Sequence, residues 1–459
     1  MEKRFPKSLK FSLRKIYGWT VVFSLVMPLL FWLAASMASK GKLFGTWPSL
    51  LEQIFEHTAV YGWVGMFVIA LVYIIYPEVI GKKWEKTDVK RLRLWVGVYA
   101  VGVLIYAIPA LLYIADFSID NAHYFTLTGT CLELVAWMML MLRLFAKYRY
   151  IQNQIRFYHH LVLVGMIPFT LALFLNPIVS LNLIFTQTIV APFDWLVSLR
   201  LLPLSGIALI LLAILTRLAP EMLAWRPADE KKLRRVFFSL FLFSIILLSG
   251  YFLFHFSNYN FAGFLYLLGL FGVLLCVIAL YAIFDFFHMR KALIENTEHV
   301  PFMYAALIWL LISLACFVYY ALWEVRYGMN VSHFWADTFM AIFFLGFFSH
   351  AIFAIFIYVS NQTQSVKQHK GHFAFMIFSI LSWAIILRST IYPLMVFVAW
   401  PGEQIFLWFI YALMYLGIAF TTLDLIRGYR SFDRAQDKPF DRAPFDSAAL
   451  RSGRSRARR

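Results

Sequence analysis

The chain has 459 residues, of which 62% are apolar and only 14% charged, with a mean hydropathy of +0.74. Soluble globular proteins are near half apolar and a quarter charged, so this composition excludes a soluble enzyme, a disulfide scaffold and a disordered chain, and points to a lipid bilayer as solvent. The net charge of +17 would suggest nucleic acid as a partner of a soluble protein; here its distribution reports topology instead.

Twelve runs of about 20 mostly apolar residues, each long enough to cross the hydrocarbon core, follow one another along the chain. They lie near 17–36, 57–80, 94–115, 123–146, 157–176, 198–220, 236–256, 262–287, 301–323, 333–359, 372–400 and 404–426. The gaps are short and polar, so one all-α, twelve-helix membrane domain is predicted over 17–426, preceded by a basic N-terminal segment, 1–16. No small-residue cleavage site follows the first run, which reads as a helix and not as a removed signal peptide. With the N-terminus cytoplasmic, 35 of the 41 Lys and Arg fall on the cytoplasmic side and four on the other. That asymmetry predicts both termini inside. From Arg427 the hydropathy collapses, and the stretch 427–459 reads as a disordered basic tail. Cys131, Cys276 and Cys316 all fall within apolar runs and suggest no disulfide.

The second span opens on His57, followed by Tyr61, with Gly62 and Gly65 giving room for a flat macrocycle or for another helix. The fourth opens on His123 and carries Glu133; Asp194 stands just before the sixth; the seventh closes on His255. The tenth opens on His333 with Asp337 one turn on, and the eleventh carries Arg388. His57, His123, His255 and His333 are expected at one outer level. His350, 17 residues beyond His333, is expected about 25 Å deeper. His159, His160, His288, His299, His369 and His372 fall at cytoplasmic helix ends, where capping or snorkelling explains them. Ionisable groups at membrane depth are costly and usually functional, and neutral imidazole ligates metals and haem iron. Two ligands on different helices at equal depth are needed for a haem, which makes His57 and His333 the candidate pair. Asp337 could orient an imidazole or pair with a cation. Arg388 could meet a haem propionate or form a structural pair with Glu133.

The H-x3-Y-G-W stretch at His57, the Pro77 and Gly81 at the far end of that span, His333, and the L-R-x3-Y-P stretch from Leu387 through Arg388 to Tyr392 and Pro393 resemble the NnrS family. That family comprises polytopic bacterial proteins that bind haem and copper, are linked to nitric oxide stress and denitrification, and are distantly similar to subunit I of haem-copper oxidases. The resemblance implies an oxidase-subunit-I-like bundle in the bacterial inner membrane, a haem of b type held by His57 and His333, and copper as a further metal, for which the placement of the histidines makes His123, His255 and His350 the candidate ligands. Glu133, Asp337, Arg388 and Tyr61 would be supporting polar residues. Respiratory complex subunits are implied partners.

Oxygen reduction is not expected. An oxidase copper site requires a His-Pro-Glu-Val-Tyr type motif on the sixth span and a His pair on the seventh, whereas the sixth span has no His and the seventh only His255. Two other classes fit twelve helices: a secondary transporter, although no half repeat is evident, and an accessory protein of a respiratory oxidase or nitric oxide reductase.

Overall fold

The computed structural model describes residues 54, 57–66, 68, 69, 72, 86–114, 122–148, 157–186, 201–223, 229–257, 260–284, 299–327, 342–363 and 371–391, with isolated positions between 398 and 420. The predicted N-terminal segment 1–16, first span and tail, with Asp194, His333 and Asp337, lie outside the described residues. Almost every described residue is helical, as a near-continuous apolar sequence in lipid requires, because only a helix satisfies each backbone group within its own segment.

In chain order the elements are a π-helix, π1 (Thr58–Gly65), then α1 (Lys86–Ile114), α2 (Ala122–Tyr148), α3 (Phe157–Thr186), α4 (Leu201–Met222), α5 (Glu230–Ser257), α6 (Asn260–Ile283) and α7 (His299–Tyr327). A second π-helix, π2 (Ile342–Ser349), runs straight into α8 (His350–Thr363), and α9 (Gly371–Ile386) runs into a third, π3 (Leu387–Ile391). Among the described residues, six helices are long and apolar enough to cross a membrane: α1, α2, α3, α5, α6 and α7. α4, the π2–α8 run and the α9–π3 run are shorter apolar segments. The protein is therefore a helical membrane protein.

The helices outrun the hydropathy at several places; α5, for one, starts at Glu230, six residues before its predicted span, on the charged EKKLRR stretch. α1 starts at Lys86, eight residues before the predicted span, because the KTDVKRLR stretch is helical although too charged for hydrocarbon. α3 continues to Thr186, past Pro168 and Pro177. A proline removes one helical hydrogen bond, but membrane helices tolerate it where neighbouring helices, Ser and Thr side chains or local shifts of register satisfy the freed carbonyl.

Consecutive helices pair closely: α1 with α2, α3 with α4, and α5 with α6. α2 also packs on α3, α6 on α7, and α7 on both π2 and α8, while π1 lies against α1 and α4. Small residues permit the close crossings, as expected where helices associate by packing and not by expulsion of water. A Cβ on Gly129 would stand 2.7 Å from the Gly102 carbonyl oxygen and equally close to the Tyr106 amide nitrogen. At the α3–α4 crossing, a Cβ on Gly206 would stand 2.8 Å from the Gly165 carbonyl oxygen. Side-chain hydroxyls along these helices donate back to their own turns, as Thr130 does to Thr126 and Thr170 to Met166. Trp137 Nε1–H then donates to Thr170 Oγ1 at 2.8 Å, tying α2 to α3.

Candidate functional site

His57 stands at the N-terminal end of π1 and is 1% exposed; Glu133, on α2, is fully buried. The imidazole Nε2 lies 2.8 Å from one carboxylate oxygen of Glu133 and 3.0 Å from the other. Because a carboxylate has only acceptors to offer, Nε2 carries the proton and donates between both oxygens, which leaves Nδ1 as the second ring nitrogen. Nδ1 is buried and has no hydrogen-bond partner among the described residues. The Tyr106 ring stacks on the imidazole at 3.7 Å and 13°, and the Tyr61 ring lies 4.5 Å away on a tilt.

The π-helical turn and the small residues of the second span produce this placement. The π-helix shifts its hydrogen bonds from i→i−4 to a wider register, a distortion often found at functional sites. The carbonyl of Tyr61 within it accepts the Tyr99 hydroxyl of α1 at 3.1 Å. Gly65 permits that approach, since a Cβ there would stand 3.0 Å from the Tyr99 hydroxyl. The contact between Gly102 and Gly129 draws α1 onto α2, so that Tyr106 and Glu133 reach the same imidazole. Asn176 of α3 is buried beside Tyr61.

The structure thus joins three of the predicted site residues, His57, Tyr61 and Glu133. It also corrects the expected depth. Tyr106, stacked on His57, abuts Gly129, so His57 stands at the level of residues 129–133 of α2. His123 lies six to ten residues back along that helix, about 9–15 Å away at 1.5 Å per residue. His57 and His123 therefore do not share one level. Ile54, three residues before His57, is already helical and buried. Glu133 is taken by His57, and not by Arg388.

His123 is partly buried in the first turn of α2, with its carbonyl accepting the Thr126 hydroxyl. His255 is in the last turn of α5, but its side chain lies outside the described residues. Arg388 is buried in π3. His350 opens α8 directly after π2; its Nδ1–H donates to the Gly346 carbonyl at 2.9 Å, and Nε2 accepts the Ser382 hydroxyl at 3.3 Å. Both ring nitrogens of His350 are thereby engaged, and Phe302 and Phe378 flank the ring. His299 caps a helix end, as predicted for the cytoplasmic histidines, by donating Nε2–H to the Met222 carbonyl at the end of α4 at 2.9 Å.

Tyr99, Tyr106 and Asn176 had escaped the sequence reading. Tyr99 and Tyr106 are seven residues apart with Gly102 between them, which places all three on one helical face; that spacing was the available signal. A further buried carboxylate, Glu324, lies one residue beyond the predicted ninth span and accepts the Tyr320 hydroxyl at 3.2 Å.

The donor set meets one requirement of a haem or metal ligand: an imidazole whose far N–H is held by a carboxylate, with a buried second nitrogen. No three His, Cys, Asp or Glu side chains come together to hold a metal ion among the described residues, so these residues alone do not complete a copper centre. No protein-family model matches the chain, and no curated protein matches it.

Proposed function

We propose that the chain is a haem-binding protein of the bacterial inner membrane, a twelve-helix bundle similar to oxidase subunit I that serves nitrogen-oxide stress or respiratory metabolism, with His57 as a ligand. The observation that supports this most is the His57–Glu133 contact, in which the carboxylate fixes the tautomer and the orientation of a buried imidazole. His333 would be the second residue to hold the haem, and His123 and His255 are proposed for a copper ion; His350, with both nitrogens engaged, is not. A bound haem would supply an iron centre for redox chemistry or for capture of a diatomic ligand. The chain's own part is to exclude water from His57 by the Tyr61 and Tyr106 rings and to hold the Nε2 proton on Glu133.

The test is an absorption spectrum with iron analysis on protein purified after haem-replete expression. A Soret band that is lost in His57→Ala and kept in His369→Ala is expected. Protein without iron or a Soret band would sink the reading.

A second reading rests on the other aspect of the same contact. Nε2 is already occupied by a buried carboxylate, and hydrogen-bonded pairs of this kind at membrane depth also serve as proton relays in carriers. Solute uptake into proteoliposomes driven by a pH gradient and abolished by Glu133→Gln, with no cofactor present, would favour a secondary transporter.

A further inference from the structure

We propose a second, separate binding site: an apolar cavity between α4, α5, α6, α7 and π2 that takes a small uncharged apolar guest. It has a volume of about 90 Å³ and is walled by residues such as Leu204 and Ala208 of α4, Leu247 of α5, Val277 of α6, Leu314 of α7 and Phe343 of π2. None of its lining residues belongs to the His57 centre, so the proposal stands or falls independently of the haem reading.

The chemistry of the guest follows from the wall. Its polar side chains among the described residues, Ser205 and Ser244, donate to the Leu202 and Leu240 carbonyls of their own helices, at 2.8 and 2.7 Å. A water molecule needs two to four polar partners to be held inside a protein, and beyond the lone pairs of these two hydroxyl oxygens the wall is apolar. An engineered apolar cavity of ~150 Å³ stays dry and binds benzene or xenon. At about 90 Å³ this one suits something smaller: an atom of xenon size, a dissolved apolar gas, or the methyl end of an alkyl chain.

The cavity arises from the way the helices pair. Glycine contacts draw α3 against α4 and α5 against α6, whereas α4 and α5 touch only sparsely, so space is left between the pairs. Phe343 of π2 and Phe317 of α7 close one side without filling it.

The test is a xenon titration of the full chain in phospholipid nanodiscs, followed by the xenon chemical shift, with protein-free nanodiscs as reference. Saturable binding is expected, weakened by about tenfold or more in Ala208→Leu, whose extra carbons occupy the space. Leu314→Ala enlarges the cavity and should add saturable benzene binding, which keeps the test decisive if Ala208→Leu does not fold. Repeating the titration in a fluorinated surfactant separates the two natural sources. Equal xenon affinity in both media identifies a dissolved gas as the guest, and weaker affinity in phospholipid identifies a competing alkyl chain. Xenon uptake no different from protein-free nanodiscs in either medium overturns the proposal.

Discussion

His57 and Glu133, 76 residues apart in sequence, form a fully buried contact in which a single imidazole nitrogen lies within 3.0 Å of both carboxylate oxygens. Neutral hydrogen bonds between membrane helices are worth about 0.6 kcal/mol on average and up to about 1.7, whereas breaking a buried ion pair costs about 3–5 kcal/mol. The bifurcated geometry and complete burial suggest a coupling at or above the upper end of the first range. Unfolding of His57→Phe, Glu133→Leu and the double variant in detergent should show each single change costing about 2–3 kcal/mol. The double variant should cost clearly less than their sum. Strict additivity would mean that the contact carries no energy.

The crossing of α1 and α2 has no room for a side chain. Gly129→Val should push Tyr106 off the imidazole, because a Cβ there meets the Gly102 carbonyl and the Tyr106 backbone. Overpacking of this kind costs about 1–3 kcal/mol. A lowered unfolding midpoint, together with loss of whatever cofactor or uptake signal His57 supports, is the expected result. Gly97, with open space around it, should accept alanine without either effect.

His299 links the end of α4 to the start of α7 through the Met222 carbonyl. Its removal should cost about 1 kcal/mol of stability, the worth of one hydrogen bond, and leave metal content unchanged. Thermal unfolding and metal analysis of His299→Leu check both halves of that statement.

Orientation is open to direct labelling. Glu230, at the start of α5, and Tyr327, at the end of α7, are both exposed, and the charge asymmetry puts them on opposite sides of the membrane. Cysteines at these positions, in a background lacking the native three, should react differently with a membrane-impermeant maleimide. Glu230→Cys should label only after the cytoplasmic face is opened, and Tyr327→Cys in intact cells. The reverse pattern would invert the topology.

Only some of these relationships were readable from the residues alone. Apolar run length located α2, α6 and α7 to within a few residues, because in hydrocarbon the backbone has no alternative to the helix and composition alone reports the solvent. The charged starts of α1 and α5 and the tail of α3 beyond Pro177 were missed for the converse reason: hydropathy marks where the lipid is, and a helix extends past it. Glu133 stood out as a charge too deep to be cheap, His57 as an outer-level histidine and Tyr61 through the H-x3-Y-G-W stretch, yet nothing in one dimension paired them.

Composition and charge distribution by themselves determined the solvent, the helical class and the expected sidedness, since each is a sum over residues that does not depend on which helix touches which. The pairing of His57 with Glu133 and not Arg388, the satisfaction of His350 within its own corner, the burial of Glu324 and the cavity beside Ala208 were decided only by the tertiary structure. Partner choice depends on helix rotation and crossing depth, and those are set by where glycines allow contact and where π-helical turns shift the register, geometry that no local pattern of residues encodes.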